Sequence, residues 1–151
     1  MINRTNTHQK ISTVRCLAVD LFLVLFLVIA DQAAKKLAYV YLKNQPSVSL
    51  IPGVLELHYL YPENRGIAFG MFQGSVLFFA VVSILFLLVL IYAWMRIPKE
   101  RFYLPLLTIA AVLASGALGN FIDRFFRGYV IDFIYFSLID FPVFNLQMCM
   151  L

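Results

Sequence analysis

The 151-residue sequence is 62% hydrophobic and 13% charged, with a mean hydropathy of +0.86. A soluble domain carries about a quarter charged residues, so these values exclude an ordinary water-soluble fold and point to one small membrane domain. The net charge of +4 is modest, and its basic residues flank apolar blocks where lipid headgroups lie, which argues against nucleic acid as a partner.

Residues 1–15 are polar and read as a loose cytoplasmic tail; residues 16–151 form a single membrane domain. Arg4, Lys10 and Arg15 precede the apolar run 21–30 as in a secretory signal, but Asp31, Lys35 and Lys36 follow without a small-residue cleavage pattern. A permanent signal-anchor helix over 16–42 fits better. Asp20, near its inner end, is read as interfacial and without a role. Residues 43–69 hold Pro46, Pro52, Gly53 and Pro62. Short apolar–polar alternations at 47–51 and 54–59 predict strands and turns there.

Residues 66–95 carry no charge and predict the second spanning helix, since a span needs about 20 apolar residues. A basic loop, 96–101, leads to a third helix over 102–121, whose second half is rich in Ala, Gly and Ser. Small residues allow close helix approach. After mixed residues through Ile139, residues 141–151 look like the start of a fourth helix. About eleven residues rise only ~16 Å, short of a bilayer core of about 30 Å. The tail and the 96–101 loop are both basic and face the cytoplasm together, leaving 43–69 and the region after Asp123 outside.

Ionisable groups at membrane depth are functional candidates. Asp31 and Lys35 lie four apart on one helix face, as a snorkelling interfacial pair or as part of a site. Asn64 opens a Gly-containing segment that reads either as a ligand-approaching turn or as an ordinary helix cap. Asn120, Asp123 and Arg124 crowd the end of the third helix and can share a face. Asp132 sits in an apolar run, where it either pairs with Arg124 or Arg127 or serves chemistry. Cys16 and Cys149 have no metal-ligand spacing around them and read as small buried hydrophobes, so no metal or other cofactor is expected.

Five segments occur in an order that resembles lipoprotein signal peptidase, also called signal peptidase II. They are Asp31-Gln32-Ala33-Ala34-Lys35, Asn64-Arg65-Gly66-Ile67-Ala68-Phe69, Gly116-Ala117-Leu118-Gly119-Asn120-Phe121-Ile122-Asp123-Arg124, Val130-Ile131-Asp132-Phe133 and Phe144-Asn145. The resemblance implies a mainly α, polytopic helix bundle of the bacterial cytoplasmic membrane, with a cytoplasmic N-terminus. The β-rich segment 43–63 would form an extracytoplasmic β-cradle. It implies an aspartyl endopeptidase that removes signal peptides from diacylglyceryl-modified prolipoproteins, cutting before the lipidated cysteine. Asp132 would be one catalytic carboxylate at the extracytoplasmic face. Asn64, Asn120, Arg124 and Asn145 would hold the peptide or stabilise charge; Asp123, Asp31 and Lys35 would support the site. Membrane lipid and the lipidated substrate are the expected partners.

The pattern breaks at the last motif. The family reads Phe-Asn-x-Ala-Asp, whose Asp is the second catalytic carboxylate; here Phe144-Asn145-Leu146-Gln147-Met148 puts Met148 at that position. The chain is therefore expected to be a C-terminally truncated member, with three full transmembrane helices, an incomplete fourth, and absent or impaired activity. An inactive relative that binds lipidated peptides is the alternative. A small transport or accessory protein fits less well, because the sequence shows no internal repeat.

Overall fold

The computed structural model describes residues 9–65 and 76–150. The Gly66–Gly70 part of the Asn64 motif and the expected start of the second helix lie outside the described residues. Among the described residues, three helices are long and apolar enough to cross a membrane. They are α1 (Thr13–Leu42), α2 (Val76–Arg96) and α3 (Leu104–Arg127), the last preceded by a 3-10 turn at Arg101–Tyr103. A four-stranded antiparallel sheet completes the chain: β1 (Val48–Ile51), β2 (Leu55–Leu57), β3 (Ile134–Phe136) and β4 (Phe141–Phe144), in that spatial order.

The expected bundle and cradle are both present, with differences that have physical causes. Helix α3 runs two turns beyond residue 121 and ends where Gly128 takes the left-handed conformation, its N–H donating to the Arg124 carbonyl at 3.1 Å. Glycine reaches that conformation without a Cβ penalty. Phe141–Phe144 is a strand, because its backbone pairs with β3 (Ile134 opposite Phe144) before any helix can start. Residues 145–150 wind through successive turns: Met148 N–H to Asn145 O, Cys149 to Leu146 and Met150 to Gln147. No fourth helix is formed among the described residues. The described part of the tail is not loose. Ile11 N–H donates to Lys99 O at 2.8 Å and Arg101 N–H to Gln9 O at 3.2 Å, tying it to the loop between α2 and α3. Cys16 is buried as expected, but Cys149 is exposed.

Helix α1 buries one narrow stripe, Cys16, Asp20, Val28, Asp31, Lys35, Ala38 and Leu42, at the three- and four-residue spacing of a helix face. Phe22, Phe26, Ile29 and Val40 on its other sides stay exposed, as lipid-facing residues do. Helix α3 is central and packs against both α1 and α2. Its buried Ala110, Ala111, Ser115, Gly116, Ala117 and Gly119 let both neighbours come close. Below the sheet, Ala38, Leu42, Tyr59, Ile131 and Phe133 form a small apolar core that roots β2 and β3 on the end of α1.

The α1–α3 contact is fastened by buried charge. Lys35 Nζ lies 2.8 Å from Asp31 Oδ2 and 2.6 Å from Asp123 Oδ2, and all three side chains are fully buried. Asp123 also takes Arg127, and Gln32 bridges the same group: its Nε2 donates to Asp123 Oδ1 at 3.2 Å and its Oε1 accepts from Arg127 at 2.9 Å. The Asp31/Lys35 pair is thus a buried interhelical clamp and not a snorkelling interfacial pair. Removing one partner of such a cluster strands the others in a low dielectric, at a cost of about 3–5 kcal/mol. Lys35→Met should therefore destabilise the folded protein severely in thermal unfolding in detergent. Arg127→Ala should cost much less, because Arg127 is one-third exposed and Asp123 keeps Lys35.

Candidate active site

The sheet aims Asp132. His58 N–H donates to Phe133 O at 2.9 Å and Leu60 N–H to Asp132 O at 3.0 Å, so the segment that follows β2 holds one edge of residues 132–133. Phe133 N–H donates to Phe144 O at 2.9 Å, holding the other edge. A further bridge pairs Asn64 with Val130. The backbone ladder thereby sets one asparagine on each side of a single aspartate. Asn64 Nδ2 donates to Asp132 Oδ2 at 2.8 Å, and Asn145 Nδ2 donates to Asp132 Oδ1 at 2.5 Å. Asp132 is 1% exposed and Asn145 0%.

Each asparagine is itself positioned. Asn145 Oδ1 accepts the Met148 N–H at 3.1 Å, the local side-chain turn that asparagine makes readily, and this fixes which end of its amide faces Asp132. The segment leading to Asn64 is pinned to the end of α1. There Lys43 pairs with Glu63 at 3.2 Å, Tyr59 donates its hydroxyl to Glu63 at 3.4 Å, and the Lys43 ammonium lies 4.6 Å from the Tyr39 ring centre.

Asp132 opens onto a cavity of about 360 Å³ between α2 and α3. Its polar end holds Asn64, Asn120, Arg124, Asp132 and Asn145; Phe79, Val82 and Phe86 of α2 make an apolar wall. The Asn120 Oδ1 atom is buried and accepts no hydrogen bond among the described residues. The Arg124 guanidinium lies 5.6 Å from the Phe79 ring centre. Met148 lines this same cavity. The chamber can thus present one carboxyl, several amide groups and one guanidinium to a polar bond at the end of an apolar channel.

Of the residues singled out in the sequence, Asn64, Asn120, Arg124, Asp132, Asn145 and Met148 meet at the cavity. Asp123, Asp31 and Lys35 do not line it; they form the ion-pair cluster between α1 and α3. Asp132 is held by the two asparagines, and Arg127 is engaged by Asp123. Sequence reasoning gave no role to Gln32 or Gln147 and weighed Arg127 as a partner of Asp132, not of Asp123. The four-residue spacing of Asp123 and Arg127 was a usable signal. Gln147 had none: its fully buried side chain packs over Gly119, where a Cβ would overlap it, and reaches the neighbourhood of Asp31.

Comparison with known proteins agrees with this arrangement. The family model described as signal peptidase (SPase) II matches residues 23–149. A lipoprotein signal peptidase of Caldanaerobacter subterraneus subsp. tengcongensis is 44% identical over 82% of this chain and 81% of its own length. That of Sinorhizobium fredii is 40% identical over 87% and 78%, and that of Staphylococcus aureus 33% over 84% and 77%. A solved bacterial membrane enzyme superposes with a TM-score of 0.79 at 30% identity, covering 95% of this chain and 84% of its own; a second gives 0.77 at 30%, covering 96% and 88%. The chain belongs to the signal peptidase II family.

Burial is the largest influence on the Asp132 carboxyl and holds its pKa above the ordinary 3.8, although the hydrogen bonds from Asn64 and Asn145 pull it down. As pH rises above 3.8, the unfolded chain has released this proton while the folded chain still binds it. The contribution of Asp132 to stability therefore falls as pH rises, until the folded carboxyl has also ionised. Asp132→Asn removes this titration. The unfolding free energy of the variant relative to the parent should increase as pH is raised from 3.8, as followed by thermal or denaturant unfolding across that range; a decrease would refute the assignment.

Proposed function

We propose that this chain handles bacterial prolipoproteins carrying a diacylglyceryl-modified cysteine, as an aspartic-type signal peptidase II whose chemistry is impaired at one position. The observation that carries this reading is that Asp132 and Met148 line one cavity, Asp132 as its carboxyl and Met148 where the family motif has a second aspartate. The apolar wall formed by α2 suits a lipidated signal peptide, which would enter from the bilayer without passing through water. On this reading the protein is a multi-pass protein of the bacterial cytoplasmic membrane, with its N-terminus in the cytoplasm and the cavity at the extracytoplasmic face.

Peptide hydrolysis by paired carboxylates needs one to take a proton from water while the other gives a proton to the scissile carbonyl oxygen. Asp132 can do either but not both at once. The Met148 thioether does neither. The Arg124 guanidinium lines the cavity, where it stabilises developing negative charge, and the buried Asn120 Oδ1 atom accepts a substrate backbone N–H. These groups hold a peptide without supplying the missing proton transfer. A binding role for lipidated peptides is therefore the second reading, favoured by a cavity whose polar amides remain in place around Asp132.

A diacylated prolipopeptide tests both readings on the purified protein in lipid nanodiscs. It should bind, and be cleaved at least about a hundredfold more slowly than by the 44%-identical relative, the scale that one general acid–base group contributes. Any residual cleavage should disappear in Asp132→Asn while binding persists. Cleavage at the relative's rate would refute the impairment, and absence of binding would refute both readings.

A further inference from the structure

At the end of the bundle remote from Asp132, two cavities share one residue. The first is an apolar crevice of about 180 Å³ lined by Leu21 and Val24 of α1, Leu90 and Ile91 of α2, and Ala110 and Ala114 of α3. It arises because α3 packs against both other helices while α1 and α2 scarcely touch. At its mouth the Trp94 indole N–H donates to Asp20 Oδ2 at 2.7 Å. The second is a larger recess of about 740 Å³, lined by Lys10, Arg15 and Arg101, which also reaches Asp20.

The recess is built rather than incidental. The backbone hydrogen bonds that tie residues 9–11 to residues 99–101 bring cations from two chain segments together. Lys10, Arg15 and Arg101 are exposed and form no ion pair with a described residue. The one carboxylate lining either cavity, Asp20, is turned to Trp94. The Lys99 ammonium, 3.8 Å from the centre of the Trp94 ring, adds a further positive charge there. The result is a basic shelf directly above a greasy slot.

The size of the slot limits what fills it. A slot of about 180 Å³ takes part of one extended acyl chain, whereas a helix, about 10–12 Å across with its side chains, does not fit. We propose that this end of the protein holds one anionic phospholipid from the leaflet opposite the candidate active site. Its phosphate rests on Lys10, Arg15 and Arg101, and the upper part of one acyl chain lies in the crevice beside Trp94. This site is independent of the cavity at Asp132 and of the reaction assigned to it.

Trp94 is the sole tryptophan of the chain, so its fluorescence reports on the crevice alone. The protein is reconstituted in phosphatidylcholine vesicles containing acyl-brominated phosphatidylglycerol or acyl-brominated phosphatidylcholine at equal mole fraction. Brominated phosphatidylglycerol should quench Trp94 with at least about fivefold higher apparent affinity, the scale of one basic residue at an anionic surface. The triple variant Lys10→Gln, Arg15→Gln, Arg101→Gln should abolish the preference and leave the quenching by phosphatidylcholine unchanged. Ala114→Leu, which fills the slot, should reduce quenching by both lipids. Excess inorganic phosphate should change nothing. Equal quenching by the two lipids, a preference that survives the triple variant, competition by phosphate, or protection of Trp94 from both lipids by a second protein helix would each overturn the proposal.

Discussion

The buried cluster of Asp31, Lys35, Asp123 and Arg127 is the constraint from which the rest of the architecture follows. In a membrane the apolar faces of helices gain little by meeting each other, because lipid is equally apolar. The α1–α3 contact therefore draws its specificity from groups that must find each other. A lysine on α1 and an aspartate on α3, both fully buried, allow one rotation and one height of the two helices. Any slip leaves a charge without its partner. With Asp123 held by Lys35 of α1, Asn120 and Arg124 at the same end of α3 are left to line the cavity beside α2. The clamp residues do not themselves line the cavity, yet by fixing α3 against α1 they decide which residues of α3 do.

The second constraint is the short sheet, which solves a different problem. A carboxyl at the membrane surface must be held against burial by donors that arrive from separate parts of the chain. The ladder provides this with backbone bonds: residues 58–64 on one side of Asp132 and Phe144 on the other. Once the strands are in register, Asn64 and Asn145 have no choice but to flank the carboxylate. The sheet in turn stands on Ala38 and Leu42 at the end of α1, so clamp and cradle share one helix.

Much of this was legible in the sequence, for identifiable reasons. Long apolar runs gave the three spans, and period-two alternation gave β1 and β2. The strands β3 and β4 were not visible, because Ile134–Phe136 and Phe141–Phe144 are apolar throughout and their partners lie elsewhere in the chain. The last two turns of α3 were missed because charged residues after 121 read as the end of a span, whereas Asp123 and Arg127 are neutralised within the protein. Residue type and order identified Asn64, Asn120, Arg124, Asp132 and Asn145 as a group. They could not say that Asp123 is taken up by Lys35 and Arg127, since a local spacing does not reveal the packing partner of each residue. Asp132 likewise offered two readings, paired with arginine or held for chemistry; the amide partners come from segments no local pattern connects.

Under the proposed reading, methionine in the place of an aspartate at 148 has an energetic side as well as a chemical one. Two carboxyls facing one another in a buried chamber repel when both ionise, so an aspartic site holds strain that the rest of the fold must offset. With Met148 on the wall, the described lining of the cavity holds Asp132 as its one carboxyl, under burial, two amide donors and the charges of Lys35 and Arg124. The thioether also adds apolar contact to a cavity that is already largely apolar. Under the proposed reading, the position that removes the chemistry also relaxes the chamber. The amides and Arg124 that would hold a substrate were never part of that strain, so they are under no pressure to rearrange. On that reading, loss of turnover with retention of binding is the ordinary consequence of replacing one member of a mutually repelling pair, and it requires no wider collapse of the site.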